Sequence, residues 1–304
     1  MSKFADLSWQ WTSRRMPVAP VPDLPAGRMV SLGNRGETYV IDTGAPPSPP
    51  REGTAQTLVL LHALACTGAL TWYPHLDALR ERYRVVVFDQ RWHGHGIRSP
   101  RFSLEDCADD VVAVAGALDV DRFMVAGYSM GSLVSQLAWR RHPDRVAGAV
   151  LCASTAAFVK GEHVPHAMRA VSHRVTRSVA NRRHHHAPAH PVSTAIDADG
   201  RWALDQFRRT TPAEITGAGT VISTFDSRRW IGTMNVPAAV VVTARDKVLP
   251  PARQRWLARQ IPEATVYEAD AGHSSCVLRA DAFRPALLAA CASVASRAAA
   301  RARQ

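Results

Sequence analysis

The stretch that decides the fold reads Phe123-Met124-Val125-Ala126-Gly127-Tyr128-Ser129-Met130-Gly131-Ser132. The apolar run that leads into it, from Val120 to Ala126, predicts a buried parallel strand. Its glycines and serine follow the pattern Gly-x-Ser-x-Gly, which places a serine on a strained strand-to-helix turn above a sheet. Side chains at the two glycine positions would crowd the strand and the helix that meet there. An ordinary glycine-rich turn shares this short pattern, so the surrounding sequence must decide between the two interpretations.

The composition describes a globular chain with a basic balance of charge. Its 304 residues are 46% hydrophobic, which is enough for one large core or for a core with a cap. The net charge of +11, from 37 Lys and Arg against 26 Asp and Glu, raises the question of a nucleic-acid partner. The arginines are spread over many segments, however, and no zinc-finger spacing or aromatic-basic motif accompanies them. We therefore expect no nucleic-acid binding.

Cysteine usage and hydropathy point to a cytoplasmic protein. The five cysteines are odd in number and include no Cys-x-x-Cys pair, which argues against a disulfide framework and against a structural zinc site. The N-terminus has no charged start followed by an apolar segment, as a signal peptide would. No apolar run is long enough to span a bilayer.

Residues 1–26 are predicted to form an N-terminal arm that lies on the domain. The proline-rich run from Pro17 to Pro25 disfavours both helix and sheet. Two tryptophans, Trp9 and Trp11, stand close to a pair of arginines and suit an interface. Contact with a membrane surface, or with a second copy in a homodimer, is therefore an alternative role for the arm.

Strands and helices alternate over most of the remaining chain. Strands are predicted at Arg28–Leu32, Glu37–Thr43, Thr57–Leu61, Tyr83–Phe88, Val120–Ala126, Val146–Ala153, Ala238–Thr243 and Ala264–Glu268. Helices are predicted at Leu70–Arg82, Ser103–Leu118, from the elbow to about His142, Ala252–Gln260 and Ala282–Arg303. Alternation with uniformly apolar strands predicts the α/β class, with a mostly parallel, doubly wound sheet covered on both faces.

The alternation stops between residues 156 and 233. Large apolar residues in this segment, among them Trp202, Phe207 and Ile215, need to be buried, which argues against a disordered linker. We expect an inserted helical cap, or lid, over the carboxyl edge of the sheet. Residues 27–155 then form the first part of the core and residues 234–304 the second part.

A catalytic triad is predicted from the loops that follow three strands. A serine hydroxyl is a poor nucleophile at neutral pH, so it needs a base, and the base needs an orienting acid. In an open α/β sheet such groups come from loops at the carboxyl ends of strands. Asp246 follows the second-to-last strand and His273 the last, in the chain order serine, acid, histidine. Because the loop from Ala153 to Ala156 has no carboxylate and Asp270 is explained by a turn, we predict the triad Ser129, Asp246 and His273.

An oxyanion hole and a metal site are the two other candidates for chemistry. We expect the backbone N–H groups of Met130, at a helix N-terminus, and Leu64, after the first parallel strand, to stabilise an oxyanion. A shift of register from Leu64 to Ala65 is an alternative, and His62 is expected to brace this loop. The run His184 to His186 resembles a metal cluster. Three consecutive residues cannot all face one ion, so no metal is expected.

Several ordered motifs resemble those of the α/β-hydrolase superfamily, over nearly all of residues 28–295. Leu60-Leu61-His62-Ala63 resembles the family's His-Gly oxyanion loop, and the segment from Asp89 to Ser99 resembles its Asp-x-Arg-Gly-His-Gly-x-Ser turn. There are two departures. Ala63 stands where glycine is usual, and the second motif carries Trp92 in place of a glycine, with an extra residue before its serine.

The resemblance implies an α/β-hydrolase fold with a serine nucleophile. Ser129 separates the chain from the branches with an aspartate nucleophile, namely epoxide hydrolases and haloalkane dehalogenases. The implied reaction is acyl transfer to Ser129 followed by hydrolysis, as in a carboxylesterase or lipase-like enzyme, without a cofactor. A carbon–carbon bond hydrolase of the meta-cleavage-product type, an acyltransferase and a non-catalytic binding module are the alternatives.

The substrate is expected to be a small hydrophobic ester, such as a medium-chain carboxylester or a monoacylglycerol. This expectation rests on apolar residues in the cap and in the loops near the elbow. The residues predicted to line the substrate pocket are Trp72, Trp92, Phe158, Met168 and Phe225.

Overall fold

Eight strands form one sheet in the computed structural model, which describes residues 19–47, 56–158 and 198–303. The strands are β1 (Arg28–Ser31), β2 (Glu37–Asp42), β3 (Thr57–Leu61), β4 (Arg84–Phe88), β5 (Phe123–Tyr128), β6 (Val146–Cys152), β7 (Ala238–Thr243) and β8 (Thr265–Ala269). Their order across the sheet is β1-β2-β4-β3-β5-β6-β7-β8. The pairs β1–β2 and β2–β4 are antiparallel, and the other neighbours are parallel. The predicted α/β class with a mostly parallel sheet is confirmed.

Helices cover both faces of this sheet. They are α1 (Gly68–Trp72), α2 (Leu76–Arg80), α3 (Leu104–Ala117), α4 (Met130–Arg141), α5 (Ala198–Arg208), α6 (Pro212–Ile222), α7 (Pro251–Gln260), α8 (Ser275–Leu278) and α9 (Ala280–Ala302). Successive side chains of a strand point to opposite faces, so each strand contributes to two cores. Val59 and Leu61 pack with α3, α4 and α7, whereas Leu58 and Leu60 pack with α1, α2 and α9. This two-sided burial explains the continuous apolar strands.

The helix predicted over Leu70–Arg82 is wrong as a single element. The structure has two short helices there, α1 and α2, which are separated by Tyr73, Pro74 and His75. Proline has no N–H to donate and breaks the hydrogen-bond pattern of a helix interior. The spacing of apolar residues was correct for the segment, but the proline within it was the stronger signal.

The insertion between β6 and β7 contributes α5 and α6, which lie against loops at the carboxyl ends of β3 and β4. The Thr67 hydroxyl donates to the Gln206 side chain of α5 at 2.9 Å, and Arg98 forms an ion pair with Glu214 of α6. Residues 159–197 lie outside the described part of the chain, so the predicted bounds of the cap stay a prediction.

The described end of the N-terminal arm, residues 19–26, lies against the α1 side of the molecule. The Tyr73 hydroxyl donates to the Ala19 carbonyl at 2.9 Å. The tryptophans of the arm lie outside the described residues, so a membrane or dimer contact stays a prediction. In the part of the chain that the structure describes, no helix has the length and apolar character needed to cross a bilayer.

Candidate active site

The turn between β5 and α4 has the strained geometry expected of a nucleophile elbow. Ser129 has a φ of +53° and a ψ of −115°, a conformation that L-residues rarely adopt. A Cβ atom at Gly127 would overlap the Gly131 carbonyl oxygen, and one at Gly131 would overlap the Leu61 carbonyl oxygen. Both glycines are therefore required by the close approach of α4 to β5 and to β3.

The three side chains predicted as a triad are linked by two hydrogen-bond contacts, with His273 between Ser129 and Asp246. Ser129 Oγ is 2.9 Å from His273 Nε2, and His273 Nδ1 is 2.7 Å from Asp246 Oδ2. An ionised carboxylate only accepts hydrogen bonds, so His273 Nδ1 carries the proton. Nε2 is then left to accept the proton of the Ser129 hydroxyl. This is the arrangement that general-base activation of a serine requires.

Asp246 is held in its ionised form although its side chain is fully buried. Burial raises the pKa of this carboxyl, but the charge and hydrogen bond of His273 and further donors outweigh burial, so its pKa is lowered. Among those donors, the backbone N–H groups of Val248 and Leu249 each lie 2.8 Å from Asp246 Oδ1. The acid is thus oriented by its own loop before any substrate binds.

Two buried side chains, Tyr128 and His75, hold the loop that carries His273. The Tyr128 hydroxyl donates to the His273 carbonyl at 2.8 Å and lies 3.1 Å from Ser275 Oγ. His75 Nε2 donates to the Cys276 carbonyl at 2.9 Å. Sequence reasoning missed both supports. Tyr128 was quoted only as a variable position of the elbow, and nothing local connects His75 to a loop 200 residues away.

The loop after β3 is braced by His62, as the sequence predicts. His62 Nδ1 donates to the Ala63 carbonyl at 2.8 Å, and its Nε2 accepts from the Gln90 backbone N–H at 2.8 Å. Burial lowers the pKa of His62 well below its usual range, which keeps the ring neutral and suited to this pairing. Met130 is the first residue of α4, so its N–H has no acceptor within the helix. The assignment of Leu64 and Met130 to an oxyanion hole stays a prediction.

The residues predicted to line the pocket fall into different environments. Trp72 has no exposed surface, and its ring packs edge-on against Tyr128 and His75. The structure therefore places Trp72 in the core and not at an accessible wall. Its position on α1, whose residues are all buried, explains the discrepancy. Met168 lies outside the described residues.

Phe225 and Phe158 pack where the insertion rejoins the core. Phe225 is buried and meets Trp230 edge-on, and Phe158 is partly buried against the same core. A short antiparallel bridge joins Ala157 to Asp226. These contacts place both phenylalanines at the base of the insertion, and their contact with substrate stays a prediction.

Trp92, which stands where the family's motif has a glycine, contacts α6. Its φ is +66°, its Nε1 donates to the Ser99 carbonyl at 2.8 Å, and a Cβ at Gly217 would lie 2.8 Å from its ring. The absence of a side chain at Gly217 thus makes room for the indole. Trp92 links the turn after β4 to the insertion.

Among residues 19–47, 56–158 and 198–303, no three His, Cys, Asp or Glu side chains lie close enough together to hold a metal ion. The run His184 to His186 lies outside these ranges.

Comparisons with known proteins place the chain among hydrolases. A family model described as the alpha/beta hydrolase fold matches residues 56–187. A pimeloyl-[acyl-carrier protein] methyl ester esterase from Chromobacterium violaceum is 28% identical over 223 residues, which cover 71% of this chain and 86% of that protein.

Two further proteins extend the similarity. A putative carbamate hydrolase RutD from a Caulobacter species is 26% identical over 247 residues, which cover 77% of this chain and 89% of the relative. The crystal structure of an enol-lactonase from Burkholderia xenovorans is 26% identical, with a TM-score of 0.67 over 86% of this chain and 98% of the other.

Proposed function

Since this chain belongs to the α/β-hydrolase superfamily, we propose that it is a serine hydrolase that cleaves a hydrophobic carboxylic ester. The observation that carries the proposal is the connected arrangement of Ser129, His273 and Asp246, with contacts of 2.9 and 2.7 Å. Besides the ester and water, the proposed reaction uses only side chains and backbone of this chain.

Acylation begins at the Ser129 hydroxyl. His273 Nε2 takes the hydroxyl proton as Ser129 Oγ attacks the ester carbonyl, and Asp246 stabilises the imidazolium that forms. The N–H groups of Met130 and Leu64 would receive the oxyanion, and one such donor typically lowers the barrier by about 3–4 kcal/mol. His273 then gives its proton to the leaving alkoxide, which departs as the alcohol.

Deacylation repeats these steps with water. His273 takes a proton from water as the water oxygen attacks the acyl carbon. When the tetrahedral intermediate collapses, the bond from the acyl carbon to Ser129 Oγ breaks and His273 gives the proton to Ser129 Oγ. The acid product leaves with the oxygen atom supplied by water.

Ester cleavage is favoured over carbon–carbon cleavage by the names of the relatives. They refer to a methyl ester, a carbamate and a lactone, and in each the carbonyl carbon bears an oxygen or nitrogen leaving group. A hydrophobic acyl group is supported by the apolar residues where the insertion meets the core, chiefly Phe225 and Phe158. Their carbon surfaces suit an alkyl chain and offer no charge to a dicarboxylate.

The test is hydrolysis of p-nitrophenyl esters from acetate to palmitate by the wild type, Ser129→Ala and a control, Ser293→Ala, on α9. We expect a rate that peaks at one chain length, is lost by about 10⁴-fold or more in Ser129→Ala and is unchanged in Ser293→Ala. A fluorophosphonate probe should add its mass to the peptide that contains Ser129. Failure to hydrolyse any ester, with no labelling of Ser129, would refute the proposal.

A further inference from the structure

Two buried polar side chains, Thr243 and Gln254, surround Asp246 in addition to His273. Thr243 is the last residue of β7, Gln254 lies in the first turns of α7, and neither exposes any surface. Thr243 Oγ1 is 2.7 Å from Asp246 Oδ2, the same oxygen that faces His273. One carboxylate oxygen is therefore shared between the imidazole and a hydroxyl.

The orientation of the Gln254 amide is determined by its neighbours. The Thr243 backbone N–H can only donate, and it lies 3.0 Å from Gln254 Oε1. The Leu249 carbonyl can only accept, and it lies 2.7 Å from Gln254 Nε2. The amide nitrogen therefore faces the acid loop, where it lies 2.9 Å from Thr243 Oγ1 and 3.3 Å from Asp246 Oδ2.

This orientation determines the direction of the Thr243 hydroxyl. Gln254 Nε2 has no lone pair to offer, so it donates to Thr243 Oγ1. The hydroxyl has one proton and two acceptors near it, Asp246 Oδ2 at 2.7 Å and Gln254 Oε1 at 3.3 Å. The proton goes to Asp246 Oδ2, the nearer and charged acceptor. Gln254 also ties the start of the acid loop, at Thr243, to its end, at Leu249, through one side chain.

We propose that Thr243, oriented by Gln254, is a positioning residue of the catalytic acid: it fixes Asp246 Oδ2 and moderates the strength with which that oxygen holds the His273 proton. The proposal rests on the triad role given to Asp246 above. Gln254 accepts from the backbone N–H at the end of β7 and donates to the Leu249 carbonyl, whereas the Thr243 hydroxyl faces the acid itself.

The physical consequence is a competition for one oxygen. A hydrogen bond from Thr243 draws negative charge on Asp246 Oδ2 toward the hydroxyl, so the carboxylate stabilises the imidazolium less than it would alone. Loss of the hydroxyl should therefore favour the protonated form of His273. Other titratable groups around the acid and its helix stay in place in such a variant. They are Tyr128 and Cys276 below the site, Arg245 and Lys247 in the acid loop, Asp270 paired with Arg245, and Arg253 and Arg255 on α7.

The experiment compares Thr243→Val, which keeps the shape but loses the hydroxyl, with Thr243→Ser, which keeps the hydroxyl. The readouts are the titration midpoint of the His273 ring protons by NMR and the acid limb of kcat/KM with a p-nitrophenyl ester. The hydrogen bond to Asp246 is made in both protonation states of His273, so only the difference in its strength between those states acts on the imidazole. We therefore expect both midpoints to rise in Thr243→Val by a few tenths of a pH unit, up to about one. In Thr243→Ser they should stay at the wild-type value.

Gln254→Met is a second variant, of similar length and without a charge. It removes the N–H donor that orients the Thr243 hydroxyl, and we expect the midpoints to move in the same upward direction. KM should be unchanged in all three variants, because neither residue touches substrate. A change in fold alone would lower the folded fraction without moving a midpoint.

The NMR titration separates this proposal from the proposed function. Unchanged His273 midpoints in both folded Thr243→Val and Gln254→Met would overturn the positioning role, whatever the activity. A raised NMR midpoint in Thr243→Val, restored in Thr243→Ser, would support it even if no ester were cleaved. In that case only the esterase proposal would fail.

Discussion

Two buried aspartates stand at the carboxyl ends of two parallel strands, and they do different things. Asp89 follows β4, and its two carboxylate oxygens accept from the backbone N–H groups of Gly68 and His95, each at 2.8 Å. Asp246 lies three residues beyond β7 and faces the imidazole of His273 at 2.7 Å. Both residues are aspartates, both follow the carboxyl end of a strand, and both side chains are buried.

The two carboxylates differ in the groups that face them. Burial raises the pKa of Asp89, and its two backbone donors offset this only in part. At Asp246 the charge and hydrogen bond of His273, with further donors, overcome burial and lower the pKa. Asp89 therefore ties its own turn to the start of α1, whereas Asp246 faces the imidazole that we propose to be the base. Burial of a carboxylate does not by itself mark an active site, and the group that faces it does.

The largest effect is expected from Asp246→Asn. An amide can turn its NH₂ toward His273 Nδ1 and stabilise the wrong tautomer, which in a serine protease lowers kcat by about 10⁴-fold. We expect a loss of that order in kcat/KM for a p-nitrophenyl ester, measured per folded molecule. A loss of less than tenfold would contradict the role of Asp246 as the acid.

Glycine substitutions should separate the two regions by stability. Gly94 has a φ of +52°, and a Cβ there would overlap Asp89 Oδ2. Overpacking and left-handed backbone together predict that Gly94→Ala lowers the free energy of unfolding by about 2–4 kcal/mol. Gly272→Ala is the matched control beside His273, because its Cβ would lie 3.6 Å from the Arg245 carbonyl oxygen, an ordinary contact.

Urea unfolding measures both variants. Gly272→Ala should change the free energy of unfolding by no more than about 1 kcal/mol. If Gly94→Ala and Gly272→Ala lowered the free energy of unfolding equally, the turn after β4 would be packed no more tightly than the loop that carries His273.

Asp89→Asn should affect stability more than activity. Asparagine has one side-chain acceptor for the two N–H donors of Gly68 and His95, and its NH₂ would face the second donor. The cost of a lost buried hydrogen bond is about 1–3 kcal/mol of unfolding free energy. We expect kcat/KM per folded molecule to stay within about tenfold of wild type. A loss as large as that of Asp246→Asn would erase the distinction between the two carboxylates.

The effect that is smallest at neutral pH is a change in the pH dependence of stability, measured at His93 in the turn after β4. Its Nδ1 donates to the Arg91 carbonyl at 3.0 Å, and burial lowers its pKa to about 4. The unfolded chain binds a proton below about pH 6.5 that the folded chain does not, so stability falls as pH drops from about 6.5 to 4. One such histidine contributes about 1.4 kcal/mol per pH unit within that window.

His93→Gln should reduce this slope without abolishing it, because the buried His62 and His75 also have lowered pKa values. The free energy of unfolding, measured by urea titration at half-unit steps of pH, gives the slope. The same slope in His93→Gln and wild type would show that His93 is already accessible to protons in the folded state.

The sequence by itself determined the strand order along the chain, the turn at Gly127–Gly131 and the places of Ser129, Asp246 and His273 after their strands. These features are local. A continuous apolar run must be buried on both faces, and two glycines around a serine are needed where a helix meets a strand. A carboxylate or imidazole directly after a parallel strand must lie at the same edge as the elbow. The break between α1 and α2 could also be predicted from the sequence, because Pro74 lies within that segment.

Only the tertiary structure decided what surrounds these groups. Trp72 has an apolar ring suited to a pocket, but the packing of α1 buries it against Tyr128. Thr243 and Gln254 meet Asp246 because α7 folds back onto β7, and nothing in their spacing fixes which atoms face each other. Such contacts depend on rotamers and on helix placement, which follow from the packing of the whole core. The sequence thus identifies the chemical groups, and the packed structure decides which of them share a proton.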